Sequence, residues 1–236
     1  MTRLATIALA LIACASIAAP HHLVVARKNV AAGGGDSPGT TDLVAWYDFD
    51  DATDSHDSYD LTETGTPTYG SGIATIESGE QLVNTTVDNN WGTTDADRTW
   101  VIRYRANTGA LNGQYPFKMQ SPYTFCRYYE TGGGTEYKIS NVNVASGDNQ
   151  SEGPWYLAIT RYNATTDNVD VLVNDAAPTT STGNGVHAYT GGNLILPDPV
   201  GALFSYDFFA LYDRRLTDAE CTWLYNSGST REHTDL

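Results

Sequence analysis

Arg103 and Arg105 stand two residues apart in the run Trp100-Val101-Ile102-Arg103-Tyr104-Arg105. Side chains two apart on an extended chain leave from one face, so the two guanidinium groups share a side of a strand. Arg127 stands in Phe125-Cys126-Arg127-Tyr128-Tyr129, and Arg161 lies near the end of Trp155–Tyr162, both strand-like runs. Charge is unwelcome in a strand unless that face meets solvent or a partner. A guanidinium is a planar fork of donors suited to hydroxyls and carboxylates. The chain also carries 15 Tyr and 5 Trp. Several lie in polar stretches, such as Trp91 beside Asn89-Asn90, Tyr115, Tyr123, and Tyr189 before Gly191-Gly192. Aromatic faces stack on the C–H surface of sugars while polar groups fix the hydroxyls. The chemistry open to these residues is glycan recognition, with Arg103, Arg105, Arg127, Arg161, Trp91 and Tyr123 as the expected ligand-binding set. The plainer reading of the arginines is pairing with the abundant Asp.

Catalytic chemistry finds no comparable footing. Glu77 and Glu80 are three apart, on opposite faces of a strand. Asp48 and Asp50 share a face, but in the opening strand of the chain's folded part. The chain has no Gly-x-Ser-x-Gly elbow, His-Glu-x-x-His pair, phosphate loop or Cys-x-x-Cys. His56, His187 and His233 are scattered in loop-like contexts. The expectation is a protein that is not an enzyme.

Charge narrows the partners. The net charge is −15, from 28 acidic and 13 basic residues. Such a chain lacks the cations that phosphate-bearing partners demand, so nucleic acid and anionic membranes are excluded as partners. Three cysteines are present; Cys126 and Cys221 could form one disulfide in an oxidising compartment. Sequons at Asn84, Asn149 and Asn163 are what an Asn- and Thr-rich chain produces by chance.

The elements that must position these residues begin after a separate N-terminus. Met1-Thr2-Arg3, then apolar Leu4–Ala19 and Pro20, read as a signal peptide over 1–19 or as a retained N-terminal arm. The stretch is too short and Ala-rich for a membrane span. Leu11-Ile12-Ala13-Cys14 also resembles a lipoprotein box, which would put a lipid anchor on Cys14. Residues 20–42, with Gly33-Gly34-Gly35 and Asp36-Ser37-Pro38-Gly39, read as a flexible linker. A single domain then occupies 43–236, long enough for a sizeable core.

That domain reads as short strands between turn signals. They are Leu43–Asp50, Ile73–Ile76, Glu80–Val83, Trp100–Arg105, Tyr123–Glu130, Glu136–Val144, Trp155–Tyr162, Val169–Val173 and Leu194–Leu196. The last is Tyr206–Asp213, with Phe209 and Leu211 sharing a face with Asp207, and apolar residues on both sides. Thr217 with Glu220 three residues on forms a capping box that opens a short helix. The fold class expected is all-β, an antiparallel two-sheet sandwich with a short C-terminal helix.

The closing stretch, Tyr206-Asp207-Phe208-Phe209-Ala210-Leu211-Tyr212-Asp213-Arg214-Arg215-Leu216-Thr217-Asp218-Ala219-Glu220, resembles the end of the laminin-G-like, concanavalin A-like jelly rolls. Leu43-Val44-Ala45-Trp46-Tyr47-Asp48-Phe49-Asp50 resembles their opening, and Trp155–Tyr162 and Val169–Asn174 resemble inner segments in the same order. Phe208, Arg215 and Asp57 depart from the pattern. The resemblance spans Leu43 to Tyr225 and implies a jelly roll. It implies that Trp46, Trp100 and Trp155 pack between the sheets and that the front sheet presents a concave groove, which the four arginines would line. It also implies a structural calcium held by Asp50 and Asp207, with Asp54 nearby. The Glu-x-Asp-x-Glu strand of related glucanases is absent here.

The function expected is a non-catalytic, extracellular carbohydrate-binding or adhesion module. The alternative is a structural surface protein of an assembly, a virion decoration or fibre or an extracellular filament subunit, anchored by the N-terminal arm to other subunits. In that case Leu23–Val25 would pair with a sheet edge of another chain. If the leader is cleaved, the same run would be disordered.

Overall fold

The computed structural model describes residues 36–87, 95–110, 113–119, 124–127, 136–139, 142–145, 150–182, 193–199 and 202–236. Trp91, Tyr123, Cys14 and the leader therefore lie outside the described residues, as does Leu23–Val25. Ala32–Leu236 is one compact unit.

In chain order the elements are β1 (Leu43–Tyr47), β2 (Thr62–Thr64), β3 (Thr68–Tyr69), β4 (Ala74–Ile76), β5 (Gln81–Asn84), β6 (Arg98–Ala106), β7 (Phe117–Met119) and β8 (Thr124–Arg127). They continue with β9 (Glu136–Ile139), β10 (Val142–Ala145), β11 (Tyr156–Asn163), β12 (Asn168–Val173), β13 (Thr179–Ser181), β14 (Leu194–Leu196), β15 (Phe204–Tyr212) and α1 (Asp218–Tyr225). The strands form two antiparallel sheets. The larger runs β13-β12-β11-β6-β15-β4-β3, with β1 also on β15, and the smaller runs β10-β9-β8-β7-β14-β5-β2. Among the described residues no helix is long and apolar enough to cross a membrane.

Alternation along the strands explains the layers. On β6, Trp100, Ile102 and Tyr104 face the smaller sheet, and on β15 so do Phe204, Tyr206, Phe209 and Leu211. They meet Leu82, Phe117, Met119, Leu194 and Leu196 from that sheet. The opposite face of the larger sheet carries Trp46, Val101, Leu157, Ile159, Phe208, Ala210 and Tyr212 under Leu216, Cys221, Trp223 and Leu224. Every residue of β15 is buried, because one face meets the other sheet and the second meets α1. Burying a side chain such as Trp223 or Leu224 is worth on the order of 2 kcal/mol, so α1 is held by its packing rather than by length.

Three expectations are corrected. Asp207 does not share a face with Phe209. The pairing of β15 with β6 slips between Tyr206↔Tyr104 and Phe208↔Arg103, a bulge that adds one residue and turns Asp207 to the outer face. Of the three tryptophans, only Trp100 lies between the sheets, its indole N–H directed at Met119 Sδ at 3.1 Å. Trp46 stacks on Phe208 at 5.0 Å in the outer layer, and Trp155 is half-buried at the start of β11. Cys221 is a free, buried thiol on α1, whereas Cys126 belongs to β8 of the smaller sheet. The larger sheet lies between them, and sheets stack about 10 Å apart, beyond disulfide reach.

The helix begins as its sequence predicts. Thr217 Oγ1 accepts from the Glu220 amide at 3.2 Å, and the Thr217 amide donates to Glu220 Oε2 at 2.7 Å. It ends at Asn226 in the left-handed conformation, φ 47°. The end of the linker is not a free tether. Arg214 Nη2 donates to Pro38 O at 2.8 Å and Ser37 Oγ to Leu236 O at 3.3 Å.

Candidate functional site

The register of the larger sheet sorts its outer face into rows. Leu157 pairs with Arg103 and Tyr156 with Tyr104, so Trp155, one step on, falls in line with Arg105. Arg105 in turn pairs with Ser205, and Ser205 with Thr75. The result is a row of indole, guanidinium and two hydroxyls crossing four strands. Rows further along are apolar, from Ile159 through Val101 to Ala210, and α1 covers them. The Trp155 row lies outside that apolar cluster.

Within the row, the Arg103 and Arg105 guanidinium carbons each lie 5.0 Å from the Trp155 ring centroid. This is cation–π distance. Trp155 and Arg105 are half-buried. The Thr75 and Ser205 hydroxyls are 3.2 Å apart, and Ser205 Oγ donates to Asn107 Oδ1 at 3.1 Å. A half-buried indole with guanidinium groups over its ring, and the half-buried Thr75 hydroxyl further along the row, offers apolar surface and hydrogen-bond donors to a sugar.

The four arginines do not share one groove. Arg127 is on β8 of the smaller sheet, while Arg103, Arg105 and Arg161 are on β6 and β11 of the larger. Opposite sheets cannot line one face, so the expected single groove is not formed. Arg161 is also withdrawn from any ligand, being 1% exposed. Its Nη1 donates to Leu216 O at 2.9 Å and Asp218 Oδ1 at 2.6 Å, and its Nη2 to Asp170 Oδ2 at 3.1 Å. It ties the start of α1 to the sheet. Burial alone would raise the Asp170 carboxyl, but hydrogen bonds from Thr180 and Arg215, with the charges of Arg215 and Arg161, hold it below the usual range. Burial pushes the neighbouring Cys221 thiol up to about 11, against the pull of Arg161. Arg103 is buried too and donates to Asp207 and to Gly228 O. Of the three candidate arginines on the larger sheet, Arg105 is the one that is half-buried rather than buried and lies in the Trp155 row.

The three acids expected to hold calcium do not fit one. Asp54 Oδ1 accepts from the Trp46 and His56 amides at 2.9 and 3.0 Å, and its Oδ2 from the Tyr59 amide at 3.3 Å. Asp207 is paired with Arg103, and Asp50 is exposed. Among the described residues no group of three or more His, Cys, Asp or Glu could hold a metal ion. A hard cation needs several oxygens converging on it; those of Asp54 and Asp207 are engaged by protein donors, which leaves the exposed Asp50 by itself.

One arrangement escaped sequence reasoning. His56 Nδ1 and His233 Nε2 lie 3.3 Å apart, although the residues are 177 apart in sequence. The His233 amide also donates to Asp48 Oδ1 at 2.9 Å. No spacing rule signals such a pair; it follows from the tail folding back on the opening loop.

No known family matches the chain by sequence, and no curated protein does. Solved structures do match in shape. Domain 4 of a GH43 extracellular arabinanase from Geobacillus stearothermophilus, solved with arabinotriose, is 17% identical with a TM-score of 0.60, over 78% of this chain and 98% of that one. Trypanosoma rangeli sialidase, solved with 2,3-difluorosialic acid, is 13% identical with a TM-score of 0.62, over 83% of this chain and 34% of the sialidase. The receptor-binding domain of a botulinum neurotoxin C/D mosaic serotype is 8% identical with a TM-score of 0.61, over 80% of this chain and 52% of that one. This chain thus spans about a third of the sialidase and half of the toxin domain. At these identities the likeness establishes a β-sandwich fold and nothing finer.

Proposed function

We propose that this chain is a non-catalytic glycan-binding module of the laminin-G-like, concanavalin A-like jelly-roll type, acting outside the cell. The observation that carries the reading is the half-buried Trp155 with Arg103 and Arg105 at its ring, in a row that continues into the Ser205 and Thr75 hydroxyls. A half-buried indole with guanidinium groups over its ring offers apolar surface to a sugar ring and donors to its hydroxyls. The arabinanase domain solved with arabinotriose, and a botulinum neurotoxin binding domain solved with SialylT, support placing sugars on sandwiches of this shape. The resemblance of the closing Tyr206–Glu220 stretch supports the jelly-roll family, and the signal-peptide reading of residues 1–19 supports an extracellular location. The lack of a paired-carboxylate strand or nucleophile motif supports a binding rather than a hydrolytic role. Probing a glycan array with the full chain tests the reading: reproducible signals on a class of glycan are expected, and an array with no signal overturns it.

A further inference from the structure

Arg105 stands apart from the other cations of this protein. Of the basic residues whose side chains are described, Arg98, Arg103, Lys118, Arg161, Arg214 and Arg215 each have an acidic partner. Arg231 donates to Trp223 O at 3.0 Å and lies 3.9 Å over the Trp223 ring. Among the described residues Arg105 has neither an ion pair nor a hydrogen bond; its contact there is with the Trp155 ring. Its Nε is buried and reaches no protein acceptor. The same is true of one nitrogen each of Arg98, Arg161, Arg215 and Arg231, but those four guanidinium groups have partners. In a chain with 28 acids to 13 bases, an arginine left without a carboxylate is unexpected on numbers alone. A buried donor without an acceptor is costly, and more so when charged. Neighbouring Arg103 shows how such a guanidinium is satisfied here, through the Asp207 carboxylate.

We infer that the Trp155–Arg105 row takes a sugar bearing a single carboxylate, with the carboxylate on Arg105 and the ring on Trp155. This rests on the glycan-binding reading above. The chemistry selects the ligand from both ends. The guanidinium fork matches a planar carboxylate in two parallel hydrogen bonds, and the indole plane asks for a C–H face. Ser205, next in the row, is buried and bonded to Thr75 and Asn107, so the half-buried Thr75 beyond it is the hydroxyl left for the remainder of the sugar. The net charge of −15 selects against a polyanion. Charges within about 8 Å remain unscreened at physiological salt, so a densely charged polymer would be repelled by the surrounding acids. One terminal acidic sugar on an otherwise neutral glycan meets the cation without that cost.

The test uses the full chain on an array of matched glycans that differ only at the terminal residue: glucose, glucose 6-sulfate or glucuronic acid. Free methyl β-D-glucuronide and methyl β-D-glucoside serve as competitors. Signals on the glucuronic acid member at least tenfold above its glucose partner, displaced by the glucuronide and not the glucoside, are expected. Arg105→Gln should erase that preference while lowering the melting temperature by no more than about 4 °C, since it gives up the cation–π contact with Trp155 but no hydrogen bond or ion pair among the described residues. Arg105→Lys should retain part of it. Equal signals on acidic and neutral members would overturn the carboxylate inference and leave the glycan-binding reading standing. A preference for the sulfated member, or a preference that survives in Arg105→Gln, would overturn it too. No signal on any member would overturn both.

Discussion

Arg103 and Asp207 are each other's partner, buried together on the outer face of the larger sheet. One had the sequence features of a ligand-binding residue and the other those of a calcium ligand. The bulge at Asp207 brings them together by turning the carboxylate away from the core. Arg103 completes its shell on Gly228 O at 2.6 Å, which ties the segment after α1 to β6. Breaking a buried pair from one side leaves an uncompensated charge, at a cost of about 3–5 kcal/mol. Asp207→Asn should therefore lower the melting temperature by roughly 6 °C or more, at 2–4 °C per kcal/mol for a chain of this size. Scanning calorimetry of the variant checks this, and an unchanged midpoint would remove the pair from the account.

Chelation should leave the fold untouched. Asp54 is engaged by three backbone amides and Asp207 by Arg103. These carboxylates already have their partners. Melting with excess EDTA and with added calcium should give the same midpoint within a degree. A rise with calcium that EDTA reverses would show that the acids are rearranged around a cation.

Acid should loosen α1 before the sandwich. Burial alone would raise both the Asp170 and Glu220 carboxyls. Hydrogen bonds and charge from Arg215, Arg161 and Thr180 hold Asp170 down, and those from Arg214 and Thr217 hold Glu220 down. A carboxyl depressed in the folded state stabilises above its unfolded value, about 3.9 for Asp and 4.3 for Glu. That contribution is lost as pH falls through the lower folded value. Stability should thus be flat above pH ~5 and fall below about pH 4. In Asp170→Asn with Glu220→Gln, that acid-side slope should shrink, at a lower overall stability. Melting midpoints across pH 2–7 for both proteins report it.

Much of this architecture is legible in the sequence because it is local. The alternation of Trp100–Arg105 and the Thr217–Glu220 box depend on near neighbours, and both appear where expected. The strands expected on either side of Gly132–Gly134 pair antiparallel as β8 and β9, while the turn itself lies outside the described residues. Glu136–Val144 reads as one strand but folds as β9 and β10, because their pairing, Val142↔Ile139 to Ala145↔Glu136, is a tight hairpin. The site was less legible because it depends on register and layer. Nothing local says that Arg127 goes to the smaller sheet, that a bulge turns Asp207 outward, or that Arg161 is covered by α1. Trp155 read as core because its run resembles an inner jelly-roll strand; its place one step before β11 leaves it half-buried. The His56–His233 pair joins two ends of the chain that share no pattern.

The central claim is that Trp155 is the platform on which a glycan rests. Its most direct test is the affinity of Trp155→Ala for the glycan that the array selects, measured by calorimetric titration beside the unchanged protein. Losing a stacked indole should weaken binding at least tenfold, about 1.4 kcal/mol or more. The core should be undisturbed, because Trp155 belongs to neither buried cluster. An affinity within twofold of the parent, in a variant that melts at the parent's temperature, would contradict the account.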